Sequence, residues 1–158
     1  MRTAAVLTVS DSSAQGERAD LSGPATAELL RQHGFDVTHR EIVPDDQPII
    51  EAALARLSEQ VQLIVTTGGT GIAARDVTPE ATRAVCTNLV DGIPEKMRSA
   101  GLAQTPFAIL SRGVCGIRGQ ALILNLPGSP SGATQSLQAV IDVLPHAVDL
   151  LAGKTEHE

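Results

Sequence analysis

Aromatic side chains are almost missing from this sequence. Phe35 and Phe107 are the only two, and there is no tryptophan or tyrosine. A protein that stacks unpaired bases uses such rings, so their scarcity argues against single-stranded nucleic acid as a partner. A nucleotide bound here must lie against aliphatic side chains and backbone. Clustered positive charge is also lacking: twelve Lys and Arg against eighteen Asp and Glu give a formal net charge of −6, with no basic run. That balance argues against duplex nucleic acid and anionic membranes. No apolar run approaches the ~20 residues of a membrane span. The opening Met1-Arg2-Thr3-Ala4 leads straight into a predicted strand without a signal-peptide cleavage pattern, so a cytoplasmic protein is expected. Cysteine is limited to Cys86 and Cys115, neither in a CxxC, and free reduced thiols are expected. His33, His39, His146 and His157 show no metal-ligand spacing; His33, just before Gly34, suits a helix C-terminus.

What is present describes an ordinary globular chain. With 158 residues, 42% hydrophobic and 19% charged, it is expected to form one domain spanning 1–158. Strands are predicted at 4–10, 36–43, 62–67, 107–111 and 120–126, with Val37 and Ile42 as the inward residues of the second. Helices are predicted at 24–33, 48–59, 79–88 and 94–100. In the second helix Ile49, Ile50, Ala53, Leu54 and Leu57 share a face. A long last helix over 131–151 should be kinked by Pro145, and 154–158 form a polar tail. Residues 112–119 read as a glycine-rich connection. The strand–helix alternation predicts a three-layer α/β/α sandwich around a mostly parallel sheet.

The densest signal is Thr66-Thr67-Gly68-Gly69-Thr70-Gly71, which follows the apolar Gln62-Leu63-Ile64-Val65 and precedes Thr78-Pro79-Glu80. Here Thr78 reads as an N-cap and Pro79 as the first helical residue. A glycine-rich loop between a strand's carboxyl end and a helix start is where open α/β sheets bind anions. We read it as a phosphate loop; a tight connection without a ligand is the alternative. No lysine follows Gly71 and the spacing is not GxGxxG, so neither the kinase nor the dehydrogenase template transfers.

Carboxylates should gather at the same edge. Ser10-Asp11 follows the first strand, Pro44-Asp45-Asp46 the second, and Asp76 the glycine loop. Asp46 reads as an N-cap, and Asp11 can equally begin a turn. Asp76 is not needed to start the helix that Thr78 caps. Carboxylates repel a polyphosphate, and Mg²⁺ resolves that conflict by taking oxygens from one or two carboxylates and from phosphate. A second loop, Leu126-Pro127-Gly128-Ser129-Pro130, repeats the strand-to-helix logic, although proline rigidity alone also accounts for it. Arg112 and Arg118 flank Gly113-Val114-Cys115-Gly116 and suit either bidentate phosphate binding or a solvated hairpin.

Together these segments resemble the molybdopterin adenylyltransferase family, which includes bacterial MogA- and MoaB-type proteins and the amino-terminal domain of gephyrin. The resemblance rests on Leu7-Thr8-Val9-Ser10-Asp11, Ile42-Val43-Pro44-Asp45, Thr66 through Thr82, Leu110-Ser111-Arg112, Cys115-Gly116-Ile117-Arg118-Gly119, Asn125-Leu126-Pro127-Gly128-Ser129 and Leu144-Pro145-His146-Ala147. It covers roughly residues 4 to 152. It implies that ATP and molybdopterin react to give adenylyl-molybdopterin and pyrophosphate. Asp45 and Asp76 would then stand at the family's catalytic aspartate positions, acting through Mg²⁺. Gly68, Gly69, Thr70 and Gly71, with Ser10 and Asp11, would hold nucleotide phosphates. Ser111, Arg112, Pro127, Gly128 and Ser129 would hold substrate, pterin or nucleotide. The resemblance also implies a homotrimer or a hexamer. The chain ends at Glu158, so a separate molybdate-insertion protein is expected in place of gephyrin's second domain. Ala74 stands where many relatives carry proline. A MoaB-like holder of molybdopterin or its precursor, with little transferase activity, is the alternative; a gephyrin-like scaffold role finds no support.

Overall fold

The computed structural model describes residues 1–154; the end of the predicted polar tail, 155–158, lies outside the described residues. A six-stranded mixed sheet runs in the order β2-β1-β3-β6-β5-β4. Its strands are β1 (Arg2–Val9), β2 (Phe35–Val43), β3 (Leu63–Thr67), β4 (Asn88–Leu89), β5 (Cys115–Arg118) and β6 (Ala121–Leu126). The pairs β2·β1, β1·β3 and β3·β6 are parallel, whereas β6·β5 and β5·β4 are antiparallel.

Side chains alternate across the central strands, and each face is covered. Ala4, Val6, Leu63, Val65, Leu122 and Leu124 point to one layer, made of α2 (Ser22–Gln32), α5 (Gly92–Gly101), α6 (Pro130–Val140) and α7 (Leu144–Leu151). Ala5, Leu7, Val9, Ile64 and Ile123 point to the other, made of α3 (Gln47–Ser58) and α4 (Thr78–Val85). Burial on both faces explains why these strands read as continuous apolar runs. The expected three-layer sandwich is what forms. A short turn of helix, α1 (Asp11–Ala14), follows β1.

Several local expectations change. A register shift between Ala4 and Ala5 on β1 places an extra residue of β2 opposite it. Side-chain parity inverts beyond such a bulge. Phe35 and Val37 therefore join the first core, Val43 joins the second, and Ile42 is left 43% exposed rather than inward. In α3 the inward stripe is Ile50, Ala53, Leu54 and Leu57, and Ile49 lies off it, 44% exposed. The segment predicted as a strand at 107–111 is a 3-10 turn, Pro106–Leu110, started by Thr105, whose hydroxyl accepts the Phe107 N–H at 3.2 Å. The place it would have taken in the sheet belongs to β5, inside the stretch read as a glycine-rich connection. Gly116 fits there because a Cβ would stand 2.9 Å from Cys86 Cβ and 3.2 Å from Asn88 O.

The helix predicted over 79–88 ends at Val85, where Cys86 turns extended, and Asn88–Leu89 pairs with β5. Residues 131–151 do not form one kinked helix: a 3-10 turn at Ile141–Val143 separates α6 from α7. Pro145 then sits in the first turn of α7, where its missing N–H costs nothing.

Candidate functional site

Strand order reverses between β1 and β3, since β2 lies beyond one and β6 beyond the other. Ligand crevices in open α/β sheets form outside the carboxyl ends of strands at such a point. The segment from Gly68 begins there. Gly68 and Gly69 have φ of +93° and +69°, a region that side chains avoid. Each is also crowded: a Cβ on Gly68 would collide with the Val9 carbonyl, and one on Gly69 with the Thr78 hydroxyl, 3.1 Å from Asp45 Oδ1.

The loop is anchored from behind and from the side. The Gly68 N–H donates to Leu126 O (3.1 Å), and the Thr78 hydroxyl to Gly68 O (3.0 Å). Thr78 is thus inside the helix rather than its N-cap, which is Val77. Below the loop Asn125, 1% exposed, donates from Nδ2 to Thr66 Oγ1 (3.1 Å) and Thr82 Oγ1 (3.0 Å). Its Oδ1 accepts the Val114 N–H (3.1 Å). Arg112 braces the outer wall, donating to Gly71 O (2.7 Å), Asp76 O (2.8 Å) and both Glu80 oxygens. With its carbonyls fixed, the loop leaves the N–H groups of Gly69, Thr70 and Gly71 without an acceptor among the described residues. Free N–H groups on successive loop residues are what an anion needs.

Three of the expected carboxylates do gather at this edge, on different terms. Asp45 is half-buried, and its carboxyl is pushed up from the ordinary value, first by burial. The Asp11 N–H opposes that shift, while the negative charges of Asp11 and Asp76 add to it. The Asp11 carboxyl is pulled down, chiefly by hydrogen bonds from Arg75 and then by the Asp45 N–H. Asp76 Oδ2 accepts the Ala73 N–H at 3.0 Å and would lie 2.9 Å from a Cβ on Gly71. Asp46 caps α3, accepting the Ile49 N–H at 3.3 Å.

Two cavities meet at the loop. A polar one of about 410 Å³ is lined by Ser10, Ser13, Arg18, Asp20, Asp45 and Asp76, among others. A larger one of about 1220 Å³ runs between α2, α5 and α6, and Ile72, Met97, Arg98, Phe107, Leu110 and Ser111 help to line it. Gly69, Asp76, Gly128 and Ser129 line both. Of the residues predicted from sequence, Ser10 and Asp45 belong to the polar cavity, and Thr70, Gly71, Ser111 and Pro127 to the larger one. Gly68 borders the polar cavity only. Asp11 and Arg112 border neither. Arg118 lies elsewhere, donating to Val85 O at 3.0 Å.

Asp20 escaped sequence reasoning. Its Oδ1 accepts the Gly23 N–H (2.9 Å) and its Oδ2 the Thr8 hydroxyl (2.8 Å). Nearby, the buried Ser22 and Thr67 hydroxyls are 3.0 Å apart. The spacing Asp20-Leu21-Ser22-Gly23 carried a capping signal, but the long-range link to Thr8 left no trace in the sequence. Arg98 was missed as well. It donates from Nη1 to Gly113 O at 3.1 Å while facing the larger cavity.

Residues 5–146 match the family described as "Probable molybdopterin binding domain". The chain is 45% identical over 152 residues to a molybdopterin adenylyltransferase of Helicobacter pylori strain J99, covering 94% of this chain and 86% of that relative. It is 40% identical over 165 aligned positions to the molybdopterin adenylyltransferase of Escherichia coli K12, covering 94% and 84%. Among solved structures, the molybdopterin biosynthesis enzyme MoaB of Thermus thermophilus superposes with a TM-score of 0.92 at 51% identity, over 98% of both chains.

Proposed function

The chain belongs to this molybdopterin-binding family, and from that membership we propose that it adenylylates molybdopterin in molybdenum cofactor biosynthesis. Its substrates on this reading are molybdopterin and ATP. A phosphate oxygen of the pterin attacks the α-phosphorus of ATP. One P–O bond forms, the bond to the β-phosphate oxygen breaks, and pyrophosphate leaves. Such a displacement needs alignment and charge neutralisation more than a covalent intermediate.

The observation that carries this reading is the junction of two cavities at Gly69, Asp76, Gly128 and Ser129. A reaction of two ligands has to happen where their sites touch. There the unpartnered N–H groups of Gly69, Thr70 and Gly71 would receive phosphate charge as it develops. Asp45 and Asp76 would set the geometry around it. Ser10 and Gly68 would border the phosphates, while Ser111, Pro127, Gly128 and Ser129 would border the substrate. Arg112 would act by bracing the loop, since four of its five N–H donors are already engaged and it borders neither cavity.

Mg²⁺ fits this donor set. No group of three or more potential ligands converges among the described residues, but Asp45 and Asp76 line one cavity. This ion takes one or two carboxylates and completes its shell from water and phosphate. When bound by Asp45 and Asp76 it would offset the charge of the polyphosphate.

We infer further that the protein works as a homo-oligomer, a trimer or hexamer, in the cytoplasm beside a separate molybdate-insertion protein. Leu102, Phe107, Ile109 and Leu110 are large apolar side chains left exposed, which a neighbouring subunit would cover. Cys86 and Cys115 are free thiols, as suits a reducing compartment; burial pushes them up to about 11 and about 12, which keeps them unreactive. Among the described residues no helix is long and apolar enough to cross a membrane.

The test is purified protein with molybdopterin, α-labelled ATP and Mg²⁺, scored for label on the pterin and for released pyrophosphate. Transfer is expected, to be abolished by chelation and lowered roughly 10²-fold or more by Asp76→Ala with the fold intact. Tight pterin binding without transfer would overturn the enzymatic reading in favour of a holding role.

A further inference from the structure

Asp11 and Asp45 face each other across the ends of β1 and β2 in a reciprocal arrangement. The Asp11 N–H donates to Asp45 Oδ2 at 3.0 Å, and the Asp45 N–H donates to Asp11 Oδ1 at 2.9 Å. Two carboxylates so placed repel, and a third group relieves them. Arg75, from the segment following the glycine loop, forks onto Asp11: Nε reaches Oδ2 at 3.1 Å, and Nη2 reaches Oδ2 at 2.7 Å and Oδ1 at 2.9 Å. Both Asp11 oxygens are thereby occupied, and Asp11 borders neither cavity. Asp45 differs. Its Oδ2 is held by Asp11, while its Oδ1 stands against Gly69 and its side chain borders the polar cavity.

We propose that Asp11 and Arg75 are positioning residues that aim Asp45 and make its orientation conditional on the placement of the glycine loop. The contacts are linked through Asp11, which touches both Arg75 and Asp45. Arg75 reaches Asp11 only when the 72–76 segment lies over the end of β1. Asp11 then grips the Asp45 N–H with one oxygen and presents its own N–H to Asp45 Oδ2. Asp45 is left with Oδ1 free toward the loop. Arg75 is 68% exposed on its side chain, and exposed ion pairs contribute little to stability. The pair is therefore suited to orienting a group rather than to holding the fold. Its bidentate fork fixes a plane, which a lysine's point charge does not.

The kinetic part rests on the adenylyltransferase reading; the structural part does not. The test therefore measures amide hydrogen exchange at Asp45 by NMR on the protein alone, together with label transfer, in Arg75→Ala, Arg75→Lys, Asp11→Asn, Asp11→Ala and the double Asp11→Ala/Arg75→Ala. Arg75→Ala is expected to speed Asp45 exchange and to lower kcat roughly 10-fold with KM for ATP within about 3-fold, because a small misplacement of an aligned group affects turnover first. Arg75→Lys should fall short of full recovery, since it restores the charge without the fork. Asp11→Ala should lower kcat further. Asp11→Asn keeps an oxygen for the Asp45 N–H and should recover part of the loss. The double variant should be no worse than Asp11→Ala, as expected of residues acting in series. Unchanged Asp45 exchange in Arg75→Ala overturns the proposal even if the protein transfers no label. So does a rise in KM for ATP at constant kcat in Asp11→Ala, which would make Asp11 a direct ligand. Loss of transfer in the unsubstituted protein with the exchange effect present strikes the functional reading alone.

Discussion

Replacing Asn125 by leucine removes the polar peg beneath the glycine loop while nearly keeping its volume. The side chain makes three hydrogen bonds and is 1% exposed, so nothing from solvent can substitute. Its partners differ in what they lose. Thr82 Oγ1 keeps its bond to Thr78 O at 2.9 Å and forfeits only an accepted proton. Thr66 Oγ1 loses the Asn125 donor, and the buried Val114 N–H is orphaned outright. A stranded buried donor costs about 1–3 kcal/mol, and a lost neutral hydrogen bond about 1 kcal/mol. The sum is roughly 3 kcal/mol, partly offset by the apolar surface leucine adds. For a domain of this size that corresponds to a Tm lower by roughly 6–12 °C. Urea denaturation at one fixed protein concentration checks it: the midpoint should fall with the slope unchanged. Thr82→Val should cost about 2 kcal/mol, since it breaks two hydrogen bonds where Asn125→Leu breaks three. A change below about 0.5 kcal/mol for Asn125→Leu, within the range of ordinary surface substitutions, would refute the reasoning. The loop would then be held by its glycines and Arg112 without the buried peg.

Gly69→Ala forces a Cβ at φ +69° into the Thr78 hydroxyl and beside Asp45, so both stability and transfer should fall, the latter by at least about 10-fold. Gly119→Ala is its control: φ is +60° with no neighbour within 4 Å, so about 1–2 kcal/mol of strain is expected with turnover per folded molecule unchanged. Equal activity losses at the two sites would refute the local argument. The Arg112–Glu80 pair makes stability acid-sensitive. Arg112's hydrogen bonds hold the Glu80 carboxyl below its ordinary value, against a smaller effect of burial. A carboxyl lowered on folding stabilises above its unfolded value, near ~4.3, and that contribution is lost as pH falls through the lower folded value. Denaturation midpoints followed from about pH 6 downward, roughly the range in which carboxylates titrate, should drop more steeply for the natural protein than for Glu80→Gln; parallel curves would refute it.

Much of this fold was legible because its informative features are local. The buried alternation in β1, β3 and β6, the Asp46 cap and Gly34 after α2 each state their consequence within a few residues. The failures share a cause. Ile42 was misplaced because one bulge on β2 inverts parity, and a bulge depends on a partner strand's register, which no window of β2 contains. Phe107, Ile109 and Leu110 look like a strand, but the edge they would join is already taken by Cys115–Arg118. That short segment escaped notice because Gly116 weakens strand propensity, and its reason for being there is Cys86, thirty positions away.

The site divides along the same line. That Gly68 to Gly71, Asp45 and Asp76 would gather at one sheet edge was legible because glycine density at a strand's end and acidic residues at neighbouring strand ends are both sequence features. Which of them face a cavity was not legible. Asp11 and Asp45 each follow a strand in the sequence, yet one gives both oxygens to Arg75 while the other turns Oδ1 toward Gly69. The difference arises from Arg75, which forks onto Asp11 alone, and only the assembled sheet brings it and the two aspartates within reach. Arg112 shows the converse. An arginine between glycine-rich segments suggests a phosphate clamp, but two carbonyls of the segment it borders and the Glu80 carboxylate occupy four of its five donors. A phosphate competing for Arg112 would have to release Gly71 and Asp76, undoing the arrangement that frees the loop N–H groups. Arg112 also borders neither cavity, so the loop, with its open N–H groups, is the better placed of the two to meet a phosphate.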